Sequence, residues 1–307
     1  MTNILLTNDF AKVSQVNVTE NIDVLEINHQ ICQAKVSLYG GQVLSYQMNS
    51  SLTGLAEHKN LVQQDVFWLS KVACYKEGKA IRGGIPLCWP WFGANDKATS
   101  EVPSTNHGFA REVTWQVDSI KVEAHEVTLV LTLQGENQHA LWPTAFKLEQ
   151  TLVFGKTCKQ SLTMTNLSTE DAHYSSALHS YFRVSNPENI TINALTGCDF
   201  DDKLTAESSN QTGSVSCVGP IDRVYHSQSN NCVMLDSGWQ RKIEVTSYGC
   251  PQWVLWNPGE ALANNMADIH AEGENEFVCL EAANTKWQLL PAGKTITISQ
   301  EIKVSAL

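Results

Sequence analysis

Arg82 and Arg111 stand in two closely spaced motifs, Ile81-Arg82-Gly83-Gly84-Ile85-Pro86-Leu87-Cys88-Trp89-Pro90-Trp91-Phe92-Gly93 and Asn106-His107-Gly108-Phe109-Ala110-Arg111. A guanidinium presents a planar fork of donors that matches phosphate oxygens. Glycine permits positive φ and close backbone approach, and proline fixes φ, so the surrounding residues suit a backbone held in one shape for an anion and a sugar ring. The plainer account of this segment taken alone is a surface loop that packs its aromatics on a sheet and leaves both arginines in water.

Other polar residues lie in apolar strand contexts downstream. His179 sits within Ser176-Ala177-Leu178-His179-Ser180-Tyr181-Phe182-Arg183-Val184, where it is expected to be half-buried. A lone histidine of this kind is more often structural than reactive. Glu281 follows the apolar run Phe277-Val278-Cys279-Leu280, and a buried carboxylate is costly unless it is paired or used. A strand end in water would explain Glu281 equally well. Asp222 and Arg223 follow a Gly-Pro turn, where Asp222 is a hydroxyl acceptor or simply a turn residue. Trp253 and Trp256 supply faces that stack on sugars, although such a strand is more often core.

The elements that must position these groups are strands. Residues 30–38, 126–133, 147–154, 159–166, 242–247, 252–256, 277–281 and 295–304 alternate apolar with polar or β-branched residues. Gly155-Lys156-Thr157-Cys158-Lys159 is a connection of hairpin length between two of them. No long capped amphipathic helix and no strand-then-helix rhythm appears; short helical turns are allowed at 65–69 and 261–266. The expectation is an all-β chain, two large antiparallel sheets packed as a β-sandwich, in a single domain over residues 1–307.

The 307 residues are 42% hydrophobic and 17% charged, ample for a sizeable core. A net charge of −11 argues against nucleic-acid and anionic-membrane partners, and leaves any bound anion to a few local arginines. The N-terminus lacks a basic, apolar signal pattern and no stretch approaches a membrane span, so a cytoplasmic location is expected. Nine cysteines without a C-x-x-C pair fit reduced thiols rather than disulfides or a metal site. Phosphate-loop, dinucleotide, zincin and nucleophile-elbow motifs are absent.

The combination is more specific than its parts. The Arg82-Gly83-Gly84-Ile85-Pro86 and His107-Gly108-Phe109-Ala110-Arg111 pair, then His179-Ser180-Tyr181-Phe182, Asp222-Arg223-Val224-Tyr225, Trp256-Asn257-Pro258 and Glu281-Ala282, occur in one order. The chain resembles the glucose-6-phosphate 1-epimerases, the hexose-6-phosphate mutarotase branch of the aldose 1-epimerase (galactose mutarotase-like) superfamily, over about residues 37–304. The resemblance implies a β-supersandwich that interconverts the anomers of a hexose 6-phosphate with no cofactor or metal. It implies that His179 and Glu281 are catalytic and that Arg82, Arg111 and Asp222 bind substrate. Asn106 stands where some relatives carry glutamine, and His107 lines the pocket. The oligomeric state is not set by the sequence, and a monomer is plausible.

On that reading Glu281 takes the anomeric proton and His179 supplies one to the ring oxygen. With ordinary values of roughly 4.3 and 6.5, the carboxylate is expected to raise its histidine neighbour and extend activity towards neutral pH. An aldose 1-epimerase for unphosphorylated sugars and a non-catalytic carbohydrate binder are the alternatives.

Overall fold

Burial alternates along the strands as the sequence does. In the segment Phe146–Phe154, residues Phe146, Leu148, Gln150, Leu152 and Phe154 are buried and those between them half-buried. The molecule is described by a computed structural model over residues 2–49 and 64–307. Among these residues β1 (Thr2–Thr7), β2 (Ala11–Thr19), β3 (Ile22–His29), β4 (Cys32–Ser37) and β5 (Gln42–Met48) form a five-stranded antiparallel meander. The strands that follow are β6 (Leu87–Cys88), β7 (Gln116–Val122), β8 (Val127–Gly135), β9 (Phe146–Phe154), β10 (Cys158–Asn166), β11 (Ala172–Leu178), β12 (Tyr181–Arg183) and β13 (Ile190–Thr191). The series continues with β14 (Asp199–Asp202), β15 (Glu207–Asn210), β16 (Ile221–His226), β17 (Asn231–Asp236), β18 (Arg241–Tyr248), β19 (Gln252–Asn257), β20 (Phe277–Leu290) and β21 (Thr295–Ala306).

They build two eight-stranded antiparallel sheets. One runs β13-β17-β18-β21-β10-β9-β8-β7; the other runs β15-β14-β16-β19-β20-β11-β6, with β12 also paired to β20. The architecture is the expected all-β one. The N-terminal meander is an addition to the two sheets read from the sequence. One hydrophobic cluster reaches from Ala11 to Val304 and draws on all three sheets through Leu25, Leu129, Leu255 and Leu280.

The segment 65–69, where a short helical turn is allowed by the sequence, is instead extended. The Val66 N–H donates to Tyr46 O and the Trp68 N–H to Tyr181 O, at 2.9 Å each, so neighbouring chain segments take the donors a helix would use internally. The second expectation falls on a short helix, α1 (Gly259–Ala263), which starts two residues before residue 261. No helix among the described residues is long and apolar enough to cross a membrane.

Register in the second large sheet places the candidate chemistry. Asp222 of β16 lies opposite Trp256 of β19, Val254 of β19 lies opposite Glu281 of β20, and Ala282 lies opposite Leu178 of β11. Leu178 in turn pairs with Leu87 of β6, at the heart of the first arginine motif. Residues far apart in sequence thus share a strip across adjacent strands.

Candidate active site

A cavity of about 340 Å³ opens on this sheet and is lined by Arg82, Asn106, His107, Arg111, His179, Asp222 and Glu281 together. A larger cavity, about 470 Å³, lies elsewhere among Asn186, Glu260, Glu272 and Glu274 and contains none of those seven residues.

The two arginine motifs are locked to each other through backbone. The His107 N–H donates to Gly93 O at 2.7 Å, the Trp89 N–H to His107 O at 3.3 Å, and the Phe109 N–H to Trp89 O at 3.0 Å. This crossing is close enough that a side chain at Gly108, whose φ is +71°, would collide with the Trp89 carbonyl group. Gly84, at φ +64°, is pressed likewise against the Val43 carbonyl. Both positions need a residue that tolerates positive φ and has no Cβ. The Trp89 ring is fully buried among Phe109, Trp142 and Phe146, with ring centres 4.6–5.5 Å away. The Trp89 framework is therefore core, and the motifs face the cavity through Arg82, Phe92 and Gly93 of the first and Asn106, His107 and Arg111 of the second.

His179 lies just beyond β11, at the bend before β12. Its N–H donates to Pro86 O at 3.1 Å, and its ring stacks on Tyr181 with centres 4.9 Å apart and planes 10° from parallel. Glu281 sits in β20 between Leu280 and Ala282, which enter the core, so strand alternation turns it to the other face. His179 Nε2 and Glu281 Oε1 are 3.3 Å apart, with 7% and 1% of the two residues exposed. His179 Nδ1 and Glu281 Oε2 are buried with no hydrogen-bond partner among the described residues.

The electrostatics differ from the sequence expectation. Burial pushes Glu281 well above the ordinary carboxylate range, and the nearby Asp222 carboxylate adds to it. Burial pushes His179 well below its ordinary value, reinforced by the positive charges of Arg111 and Arg82. The carboxylate does not lift the histidine, because a neutralised Glu281 offers it no charge. Asp222, on β16, is itself raised by burial, opposed by Lys203.

His107 takes up the left-handed backbone region at φ 68° and accepts the Gly93 N–H at Nδ1, 3.1 Å away. Burial and Arg111 hold the ring neutral, so its remaining proton is on Nε2 as a donor. Arg82 donates from Nε to Asp268 at 3.0 Å and from Nη1 to the Tyr181 hydroxyl at 2.8 Å. Arg111 donates from Nη2 to Asn106 O at 2.7 Å. The asparagine thus holds the arginine through its backbone, whatever its side chain does.

Tyr181, Lys203, Phe92, Trp256 and Met266 complete the lining. Trp256 is only partly buried, whereas Trp253 belongs to the core. Lys203 follows β14, and the sequence around it, Asp201-Asp202-Lys203-Leu204-Thr205, reads as an ordinary charged turn. Only the pairing of β14 with β16 beside Asp222 brings it to the cavity.

The chain is similar to known proteins over nearly its whole length. A family model described as aldose 1-epimerase matches residues 23–303. A protein named "Putative glucose-6-phosphate 1-epimerase" from Escherichia coli (strain K12) is 32% identical over 290 residues, covering 93% of this chain and 92% of that protein. The crystal structure of a "putative mutarotase" from Salmonella typhimurium is 30% identical, with a TM-score of 0.85 over 99% of this chain and 97% of its own. A galactose mutarotase-like protein from Clostridium acetobutylicum shares the fold at 13% identity, with a TM-score of 0.69 over 98% of this chain and 100% of its own.

Proposed function

Because the chain belongs to the aldose 1-epimerase family and is a sugar epimerase, we propose that its substrate is a hexose 6-phosphate, glucose 6-phosphate first among them, whose α and β anomers it interconverts. The observation that carries this reading is the convergence of His179 and Glu281, 3.3 Å apart, in one cavity with Arg82 and Arg111.

The anomeric hydroxyl and the ring oxygen share one carbon, so a base and an acid that serve both must converge on neighbouring points. Glu281 takes the hydroxyl proton while His179 gives one to the ring oxygen, and the bond from C1 to the ring oxygen breaks to leave an aldehyde. Rotation about C1–C2 and the reverse transfers close the other anomer, with each group restored. No cofactor or metal takes part in this scheme.

Burial leaves the empty pair with its shared proton on Glu281 and His179 neutral. A phosphate dianion bound in the cavity cancels the positive field, to which Arg111, Arg82 and Lys203 contribute, that disfavours a charged His179. The proton then moves to the histidine, and the Glu281 carboxylate becomes the base. Substrate binding in this way sets the protonation the chemistry requires. Asp222 accepts a sugar hydroxyl, and the His107 Nε2–H donates to another.

Anomer exchange followed by NMR on glucose 6-phosphate, galactose 6-phosphate and free glucose tests the proposal directly. Faster exchange of the phosphorylated sugars is expected. Equal catalysis of free glucose would point instead to an epimerase of unphosphorylated aldoses, and exchange at the spontaneous rate on all three to a binding protein.

A further inference from the structure

The cavity holds three cations, and they are not equivalent. Arg82 alone has a carboxylate partner among the described residues, Asp268, and it also donates to Tyr181. Two of its five N–H groups are thereby committed and its charge is balanced. Among the described residues Arg111 has no ion-pair partner and its Nε is buried without a hydrogen bond. Among the same residues Lys203 has no ion-pair partner either. Its ammonium rests 4.7 Å from the centre of the Phe92 ring, a contact that places a cation without neutralising it. Its backbone is tied by an N–H donated to Asp222 O at 2.8 Å, which fixes where the side chain begins. Asp222 and Glu112 lie near enough to act on Lys203 and Arg111 through their charge but form no ion pair with them among the described residues, so both cations keep donors for an anionic ligand in a chain whose net charge is −11.

We infer that Lys203 is the specificity-determining residue for the phosphorylated substrate, forming with Arg111 the clamp that receives the dianion. Arg82, already balanced by Asp268, serves first to brace Tyr181 under the His179 ring. The inference rests on the phosphate reading above and assigns its strength to a residue outside both arginine motifs. A dianion needs two positive charges for balance, and Arg111 with Lys203 supplies them. The flexible ammonium also makes three donors available at a point charge, complementary to the planar fork of Arg111.

The test compares kcat/KM for glucose 6-phosphate with that for free glucose in the full-length protein, for wild type, Lys203→Met and Lys203→Arg. Lys203 is exposed, so its replacement is expected to leave the fold intact, which the melting temperature of each variant checks. Loss of a charged hydrogen bond predicts a fall in the wild-type preference for the phosphorylated sugar of roughly 10- to 100-fold in Lys203→Met, carried by KM for glucose 6-phosphate. Lys203→Arg should recover most of it. Competition by inorganic phosphate should weaken in parallel in Lys203→Met. A wild-type preference that survives in the folded Lys203→Met protein overturns the assignment to Lys203 alone. A wild-type protein with no preference between the two sugars overturns the phosphate reading itself.

Discussion

Ser180 and His179 are neighbours in sequence, both buried, and belong to opposite kinds of polar cluster. Ser180 faces the space between the large sheets and exchanges hydrogen bonds with Gln300 of β21 at 2.9 and 3.2 Å. Gln300 donates to Gln160 at 2.9 Å, Gln160 to Gln150 at 2.7 Å, and Gln150 to Gly41 O at 2.5 Å. The chain of amides is satisfied link by link and joins the sheets to the N-terminal meander. His179, one residue away, meets Glu281 with an unpartnered atom left on each ring and carboxyl. Burying polar groups is tolerable when they are paired and costly when they are not. The first cluster is therefore structure; in the second, groups kept unpaired remain available for a substrate.

Variants at the two clusters should separate activity from stability. The largest effect expected is catalytic: Glu281→Gln and His179→Ala each slow anomer exchange by about 10²- to 10⁴-fold while sugar binding stays measurable, as NMR exchange and calorimetry would show. Near-wild-type exchange in either variant removes that residue from the mechanism. Next in size, Arg111→Ala should weaken glucose 6-phosphate binding by roughly 10- to 100-fold and free glucose far less; equal weakening would mean that Arg111 does not meet the phosphate. In the satisfied cluster, Gln160→Ala takes one hydrogen bond from each of its two amide neighbours, and denaturant unfolding should show a loss of about 1–3 kcal/mol with per-molecule activity retained.

The smallest effect has the opposite sign. Glu281 has a raised value in the folded chain, so the unfolded chain loses its proton first as pH rises. Stability falls from about pH 4.5 upward until the folded group itself ionises. Glu281→Gln removes that loss, so it should stabilise the protein by on the order of 1 kcal/mol at neutral pH and give no advantage below about pH 4. Melting curves across pH would reveal it. An inactive variant that is also less stable at pH 7 would place Glu281 with the satisfied amides instead.

Much of the molecule is legible in one dimension. Alternation at period two yields β9, β10, β18 and β21 nearly to the residue, because the side-chain direction of a strand is a local property. Gly84 and Gly108 announce close backbone crossings for the same reason: the need for positive φ is written into the residue type. The helical turn allowed at 65–69 does not form because long-range bonds to Tyr46 and Tyr181 claim its backbone, which no window of sequence reveals.

By itself, then, the sequence determined the all-β class, the rigid arginine motifs and the residue types of the proposed acid and base. Only tertiary structure decided that His179 is held neutral rather than charged, that Asn106 serves Arg111 through its carbonyl, and that Lys203 joins the site. A residue's type and strand phase are set locally, whereas burial and the sum of surrounding charges depend on distances that folding creates between residues as far apart in sequence as Arg82 and His179.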